Sequence, residues 1–351
     1  MRCFASYAVV AVLLVSLMLP SAFAAQTYTV LIGFGQPDTG VTINAFYPET
    51  VTIHVGDTVH WIQNSNEIHT VTFLAGTEAP ALIVPAAALG FPAEPGPLVF
   101  NPAAVNPSGA ADGLYDGAAY ANSGVMGNVA PLTREFDLTF TAEGAYDYNC
   151  LVHGIMMSGR VVVVAAGADI PSPYQTMIEG FQEMAESFAQ VPALLEEAQA
   201  MIQSPVANPD GTVTHHVTIG HSDDGQIDLM RFFPSTLTVH PGDTVVWEMA
   251  AHNHAPHTVT FLNGQPRPVD PILVPRPSGP PLGYNNPAAL FPQLPSADLT
   301  RSGIYNSGVI EPIPGTTFTL TIGAVEPGPL PYICLLHDIV GMKGELIVAS
   351  Q

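Results

Sequence analysis

The sequence is poor in positive charge and in cysteine, and beyond its first two dozen residues it lacks any apolar run long enough to span a bilayer. Lysine and arginine total 8 against 30 aspartates and glutamates, a formal net charge of −22. So acidic a surface repels phosphate backbones, which excludes nucleic acid as a partner. A basic protein is what such a field would steer toward it, although solubility or adaptation to salt accounts for the same charge. Only 11% of the residues are charged and 47% are hydrophobic, so the chain is not one kept disordered by charge. Proline (34) and glycine (31) are abundant without the period of collagen, which suggests short strands, many turns and long ordered loops.

The start of the chain reads as a secretory signal peptide. Arg2 supplies the positive region, Ala8 to Leu19 the apolar region and Ala22-Phe23-Ala24 a small-x-small cleavage site. Such a leader, residues 1–24, implies export to a periplasm or the medium, with no integral membrane segment after it. Cys3 would leave with it. Of the three cysteines, Cys150 and Cys334 then remain, and the plain expectation for an exported pair is one disulfide.

An internal duplication argues otherwise. Residues 48–73 read PETVTIHVGDTVHWIQNSNEIHTVTF, and residues 234–261 read PSTLTVHPGDTVVWEMAAHNHAPHTVTF. Further on, YNCLVHGIMMSGRVVVV at 148–164 answers YICLLHDIVGMKGELIV at 332–348, and Asn-Pro-Ala-Ala and Asn-Ser-Gly-Val each recur between them. The period is that of a whole domain, far longer than a solenoid repeat. A disulfide would require equivalent ends of two domains to bring their Cα atoms within about 6–7 Å.

Each copy reads as β-structure. Val51, Ile53 and Val55 alternate with Thr52 and His54, and Phe136, Leu138 and Phe140 with Asp137 and Thr139. Tyr146, Tyr148 and Cys150 share a strand face, Val161 to Val164 form a buried run, and Gly-Asp pairs at 56–57 and 242–243 mark turns. This pattern predicts an all-β fold, two Greek-key sandwiches spanning residues 25–167 and 208–351. Each copy carries a loop rich in Pro, Gly and Ala, at 74–123 and 262–307. Loops of that length serve function or pack over an open end of the sandwich.

Between the copies, over residues 168–207, the pattern becomes helical. Met177, Phe181, Met184, Phe188, Val191, Leu195, Ala198 and Ile202 form a heptad-like stripe, interrupted at Pro192. This predicts an amphipathic helical linker over 174–203 that packs on its own domains or mediates oligomerisation.

Chemistry concentrates at one place per copy. Cys150-Leu-Val-His153 closes a strand and is followed by Met156 and Met157; Cys334-Leu-Leu-His337 is followed by Met342. His69 and His257 stand upstream in a shared His-Thr-Val-Thr-Phe setting. Two imidazoles, a thiolate and a thioether suit a copper ion alternating between Cu(I) and Cu(II); zinc is the other candidate, but the thioether favours copper. His252 and His254 could bind a further metal or attract copper. His54 and His240 read as exposed, and His60, His215, His216 and His221 as surface or structural residues. Thr70 and Thr258, next to the upstream histidines, could stiffen the site through hydrogen bonds.

On these motifs the chain resembles a tandem cupredoxin of the plastocyanin/azurin family. The resemblance implies two type 1 copper centres, with His257, Cys334, His337 and Met342 as ligands in the second copy. In the first copy it implies His69, Cys150, His153 and Met157. There the methionine stands one residue closer to the histidine, so Met156 competes with Met157 as axial ligand. The implied function is exported electron transfer with a redox protein, through a solvent-near His153 or His337. Alternatives are a copper storage, delivery or sensing module, or an enzyme resembling nitrite reductase or laccase. Against an enzyme, no histidine adjoins either cysteine, the neighbours being Asn149, Leu151, Ile333 and Leu335, and no Ser/His/Asp or P-loop signature is present.

Overall fold

The computed structural model describes residues 24–129, 131–223 and 225–350. The signal-peptide reading, Cys3 included, falls outside them save for Ala24. Period-two patterning forms the expected strands. Thr50–His54 buries Val51 and Ile53 and leaves Thr52 and His54 half-buried. Val55, expected to continue that face, is exposed because the strand has already ended at the turn. That turn is held by Asp57, whose carboxylate accepts from the backbone N–H of His54 at 2.9 Å and of Gln26 at 2.8 Å. Asp243 does the same for His240 and Val213, both at 2.8 Å. Val161 to Val164 is not a uniformly buried run. It ends the long strand Gly154–Val164, which alternates, so Val161 and Val163 are buried and Val162 and Val164 half-buried.

Each half is a two-sheet sandwich around a tryptophan. Trp61 meets Phe73, Phe136 and Tyr148 at centroid distances of 5.9, 5.8 and 5.4 Å. Trp247 meets Phe261, Phe318 and Tyr332 at 5.9, 5.8 and 5.6 Å. The duplication therefore extends to the ring packing of the core. In the first half the smaller sheet contains Thr50–His54, Gly154–Val164, Gly144–Cys150, Thr72–Phe73 and Ala121–Asn122; its counterpart contains Thr236–Val239, Lys343–Val348, Gly328–Ile333, Thr260–Phe261 and Tyr305–Asn306.

The other sheets of the two halves are one. Val41–Tyr47 pairs antiparallel with Ile227–Phe233, placing Ile43 opposite Ile227 and Val41 opposite Leu229, and so joins both halves in an 11-stranded sheet. Every residue of Val41–Tyr47 is buried, the signature of a strand covered on both faces.

The linker forms two helices, Pro173–Phe188 and Val191–Ala200. Ser172 and Gln175 make a capping box at the first, and Pro192 lies in the opening turn of the second. Their apolar side packs on the seam: Val191, Leu194 and Ala198 join Ile43, Tyr47, Leu229 and Phe233 in one buried cluster, with Met184 and Phe188 beside it. Phe181 and Ile202, also expected in the stripe, are largely exposed. No described helix is long and apolar enough to cross a membrane.

The long loops meet each other. Ile83–Pro85 and Leu98–Phe100 from the first, with Ile272–Val274 and Leu282–Tyr284 from the second, form a four-stranded sheet across the halves. Tyr284 pairs with Val99, its hydroxyl donates to the Pro92 carbonyl at 3.1 Å, and the Asn285 N–H donates to the Leu98 carbonyl at 3.0 Å. The repeated Asn-Pro-Ala-Ala motifs are short capped helices, with Asn101 accepting from the Ala103 N–H and Asn286 from the Ala288 N–H.

Candidate metal centres

Among the described residues, two clusters bring three metal-donor side chains together: His69, Cys150 and His153, and His257, Cys334 and His337, with donor atoms within 4.8 Å of one another. Cys150 ends one strand and His153 lies in the turn after it, while His69 arrives from the facing loop, bridged to Met126. The second cluster repeats this, with His257 bridged to Ile310. Both cysteines are free and buried, which removes the disulfide alternative.

In both centres the Nδ1 atoms face the sulfur. Cys150 Sγ lies 3.9 Å from His69 Nδ1 and 3.5 Å from His153 Nδ1. Cys334 Sγ lies 3.8 Å from His257 Nδ1 and 3.5 Å from His337 Nδ1, and the two Nδ1 atoms are 3.0 Å apart. Donors bonded at about 2.0–2.3 Å to one ion stand roughly 3–4 Å apart, so both sets fit a single thiophilic metal. Burial, with each neighbouring imidazole, holds His69 and His257 well below the usual histidine range. Burial pushes His153 and His337 down to about 4, against the opposing pull of Asp228. All four rings thus present neutral lone pairs at neutral pH. Burial also raises the Cys150 thiol and pushes Cys334 up to about 11, so a thiolate at either place needs a cation against it.

The surroundings fix these donors. The Thr70 N–H points to Cys150 Sγ and the Thr258 N–H to Cys334 Sγ, each at 3.3 Å. Each threonine hydroxyl also accepts from the N–H of the residue after the cysteine, Leu151 at 2.8 Å and Leu335 at 2.7 Å. The chain continues through Thr72 to Asn122, and through Thr260 to Asn306, which accounts for the repeated Asn-Ser-Gly-Val.

Sequence reasoning missed the groups behind the upstream rings. His69 Nε2 lies 2.9 Å from Ser65 Oγ, and His257 Nε2 lies 3.4 Å from Asn253 Oδ1, each partner four residues earlier. Against each ring sits a glycine with positive φ, Gly33 (+68°) and Gly220 (+64°), where a Cβ would fall 2.7 Å from Nε2. The signal was the Ile-Gly pair shared by the first strands of both copies, Thr27–Gln36 and Val213–Ser222.

Met157 and Met342 are fully buried, in the same clusters as Cys150 and Cys334 respectively. Met156 is 38% exposed and lines a cavity instead. His337 is 8% exposed and His153 partly exposed, and both line one open cavity of about 750 Å³ between the halves. His254 Nδ1 lies 3.3 Å from Asp228 Oδ1, and His252 is exposed near buried His221; neither joins a donor cluster. His240 is exposed, but His54 is not, since its ring reaches the Ala168 carbonyl at 3.0 Å. His60 lies 2.7 Å from Asp137 and buried His215 3.3 Å from Asp243, both structural contacts.

Residues 38–164 match the model of copper binding proteins of the plastocyanin/azurin family. Similar solved structures include an oxidised amicyanin mutant, 22% identical over 39% of this chain and 82% of that one, with a TM-score of 0.22. A plastocyanin mutant of fern is 16% identical over 39% of this chain and 99% of that one, also with a TM-score of 0.22. No curated protein matches. The first half thus matches the cupredoxin family, and the second half, which repeats the same donor set, is similar to it.

Proposed function

We propose that this is an exported electron-transfer protein with a type 1 copper centre in each half. The observation that carries the reading is the recurrence of a buried His–Cys–His set on equivalent elements of two sandwiches. His69, Cys150, His153 and Met157 would hold one ion, and His257, Cys334, His337 and Met342 the other, on the domain division 25–167 and 208–351. Burial of Met157 and exposure of Met156 support the former as the thioether that would complete the first donor set. Bound copper supplies one-electron exchange between Cu(I) and Cu(II).

The chain's own residues do the rest. The Thr70 and Thr258 N–H groups donate to sulfur and stabilise its negative charge, while their hydroxyls tie the cysteine loop to the histidine loop. Ser65 and Asn253 hold the outer ring nitrogens and fix the plane of each upstream imidazole. Burial keeps water from His69, Cys150, His257 and Cys334, and donors already held by the folded scaffold need little rearrangement when charge changes. Export rests on the signal-peptide pattern of residues 1–24. A storage or delivery role would require easy metal exchange, which fully buried His69, Cys150, His257 and Cys334 oppose.

The test is metal analysis with visible and electron paramagnetic resonance spectra of the mature protein. Two coppers per chain, intense blue colour and narrow hyperfine splitting are expected. Cys150→Ser and Cys334→Ser should each remove about half of the blue absorbance. Colour unchanged in either variant would eliminate that centre.

A further inference from the structure

We propose that Asp228 is a positioning residue for both metal centres at once, a single buried carboxylate on the axis relating the halves whose charge favours the oxidised ion in each. The inference rests on the reading of two copper centres above. The duplication itself fixes the axis. Pro48 and Pro234 are equivalent, and counting back six residues from each reaches Thr42 and Asp228. Asn101-Pro-Ala-Ala and Asn286-Pro-Ala-Ala are equivalent, and counting back two residues reaches Val99 and Tyr284. Each of these residues pairs with its own equivalent, Thr42 with Asp228 in the seam and Val99 with Tyr284 in the loop sheet. Such self-equivalent pairs mark a local two-fold axis, which therefore passes through both places.

His153 and His337 are equivalent as well, each closing its Cys-x2-His, so a group on the axis is placed alike toward both. Asp228 lines the same cavity as the two rings. Charge breaks the symmetry at this pair, since the first copy has Thr42 where the second has Asp228, and the axis carries one carboxylate. Asp228 is 3% exposed and is held from both halves. Asn44 Nδ2 of the first half donates to it at 2.8 Å; from the second half Ser222 Oγ donates to it and His254 Nδ1 lies 3.3 Å away. No lysine or arginine lines the cavity to cancel the charge. Its reach to both rings is visible in their titration, where Asp228 opposes the effect of burial on His153 and on His337. A buried charge acts over such spans with little screening by salt. A negative charge stabilises Cu(II) more than Cu(I), and from the axis it does so for both centres.

The test uses the full mature chain with Cys334→Ser or Cys150→Ser, which leave the first or the second centre to be read alone. Each is titrated at pH 8 through its blue band with the ferricyanide/ferrocyanide couple as the source and sink of the electron. Asp228→Asn should move the Cu(I)/Cu(II) ratio at a fixed potential about threefold or more toward Cu(I) in both backgrounds, by similar factors. Asp228→Thr, which installs the first copy's own residue, should do the same and serves if the amide variant fails to fold. Glu67→Gln is the off-axis contrast: its counterpart is Ala255, so it should move the first centre more than the second. Cobalt(II), titrated into the copper-free chain, reads the same charge without electron transfer, and Asp228→Asn should weaken both sites about threefold or more. A shift at one centre only, at neither, or unchanged cobalt affinity would overturn the proposal. Weakened cobalt binding in a protein that never turns blue with copper would sink the electron-transfer reading alone; blue copper with potentials indifferent to Asp228 would sink this one alone.

Discussion

At the residue scale, the centres depend on side chains that carry no metal-binding chemistry. Gly33 and Gly220 are the sharpest case, because a methyl group at either would meet an imidazole at 2.7 Å on backbone already in the left-handed region. Gly33→Ala should cost about 1–3 kcal/mol in stability. It should also remove the blue band of the first centre alone; Gly220→Ala should do so for the second. Absorbance and copper content of the two variants check this, and full colour in both would show that the rings tolerate the displacement. The donors themselves were legible from the sequence, since a Cys-x2-His and an upstream His recur in matching context. Ser65 and Asn253 were not, because a hydrogen bond to an outer ring nitrogen leaves no shared residue type between copies.

At the element scale, the seam strands and the linker helices form one buried unit. Ile43 sits fully buried opposite Ile227 and beneath the helices. Ile43→Ala should therefore cost about 2–5 kcal/mol, measured by denaturant unfolding. A loss below about 0.5 kcal/mol would mean that the seam is not packed as described. The helical stripe was readable from its spacing on both sides of Pro192, since Met184, Phe188, Val191, Leu195 and Ala198 all pack on the seam. It erred at Phe181 and Ile202, which are exposed, and it passed over Leu194, which is buried more deeply than Leu195. The edge pairing of Val41–Tyr47 with Ile227–Phe233 was not readable, because the repeat describes each copy and is silent on which strand edges meet.

At the scale of the whole molecule, four desolvated imidazoles contribute most to the response of the copper-free protein to acid. His153 and His337 are pushed down to about 4, and His69 and His257 lie well below 6.5. An unfolded chain would protonate all four near 6.5, so it binds more protons than the folded one as the pH drops below that value. Stability should fall progressively from about pH 6.5 toward about 4. Glu67 acts in the opposite sense, since burial pushes it up to about 7 from 4.5 and the folded form holds its proton over that interval. Glu183 and Asp270, raised by burial, act with Glu67, and His221, lowered by burial, acts with the other histidines. Three carboxyls against five imidazoles leave a net loss on acidification, visible as a falling melting temperature from pH 7 to pH 4. A flat or rising profile would contradict the burial of these rings. The placement of the downstream imidazoles has a consequence for traffic. Both line one cavity, so under the proposed electron-transfer reading the halves would share a port rather than work in parallel, and whatever lodged there would confront both centres at once.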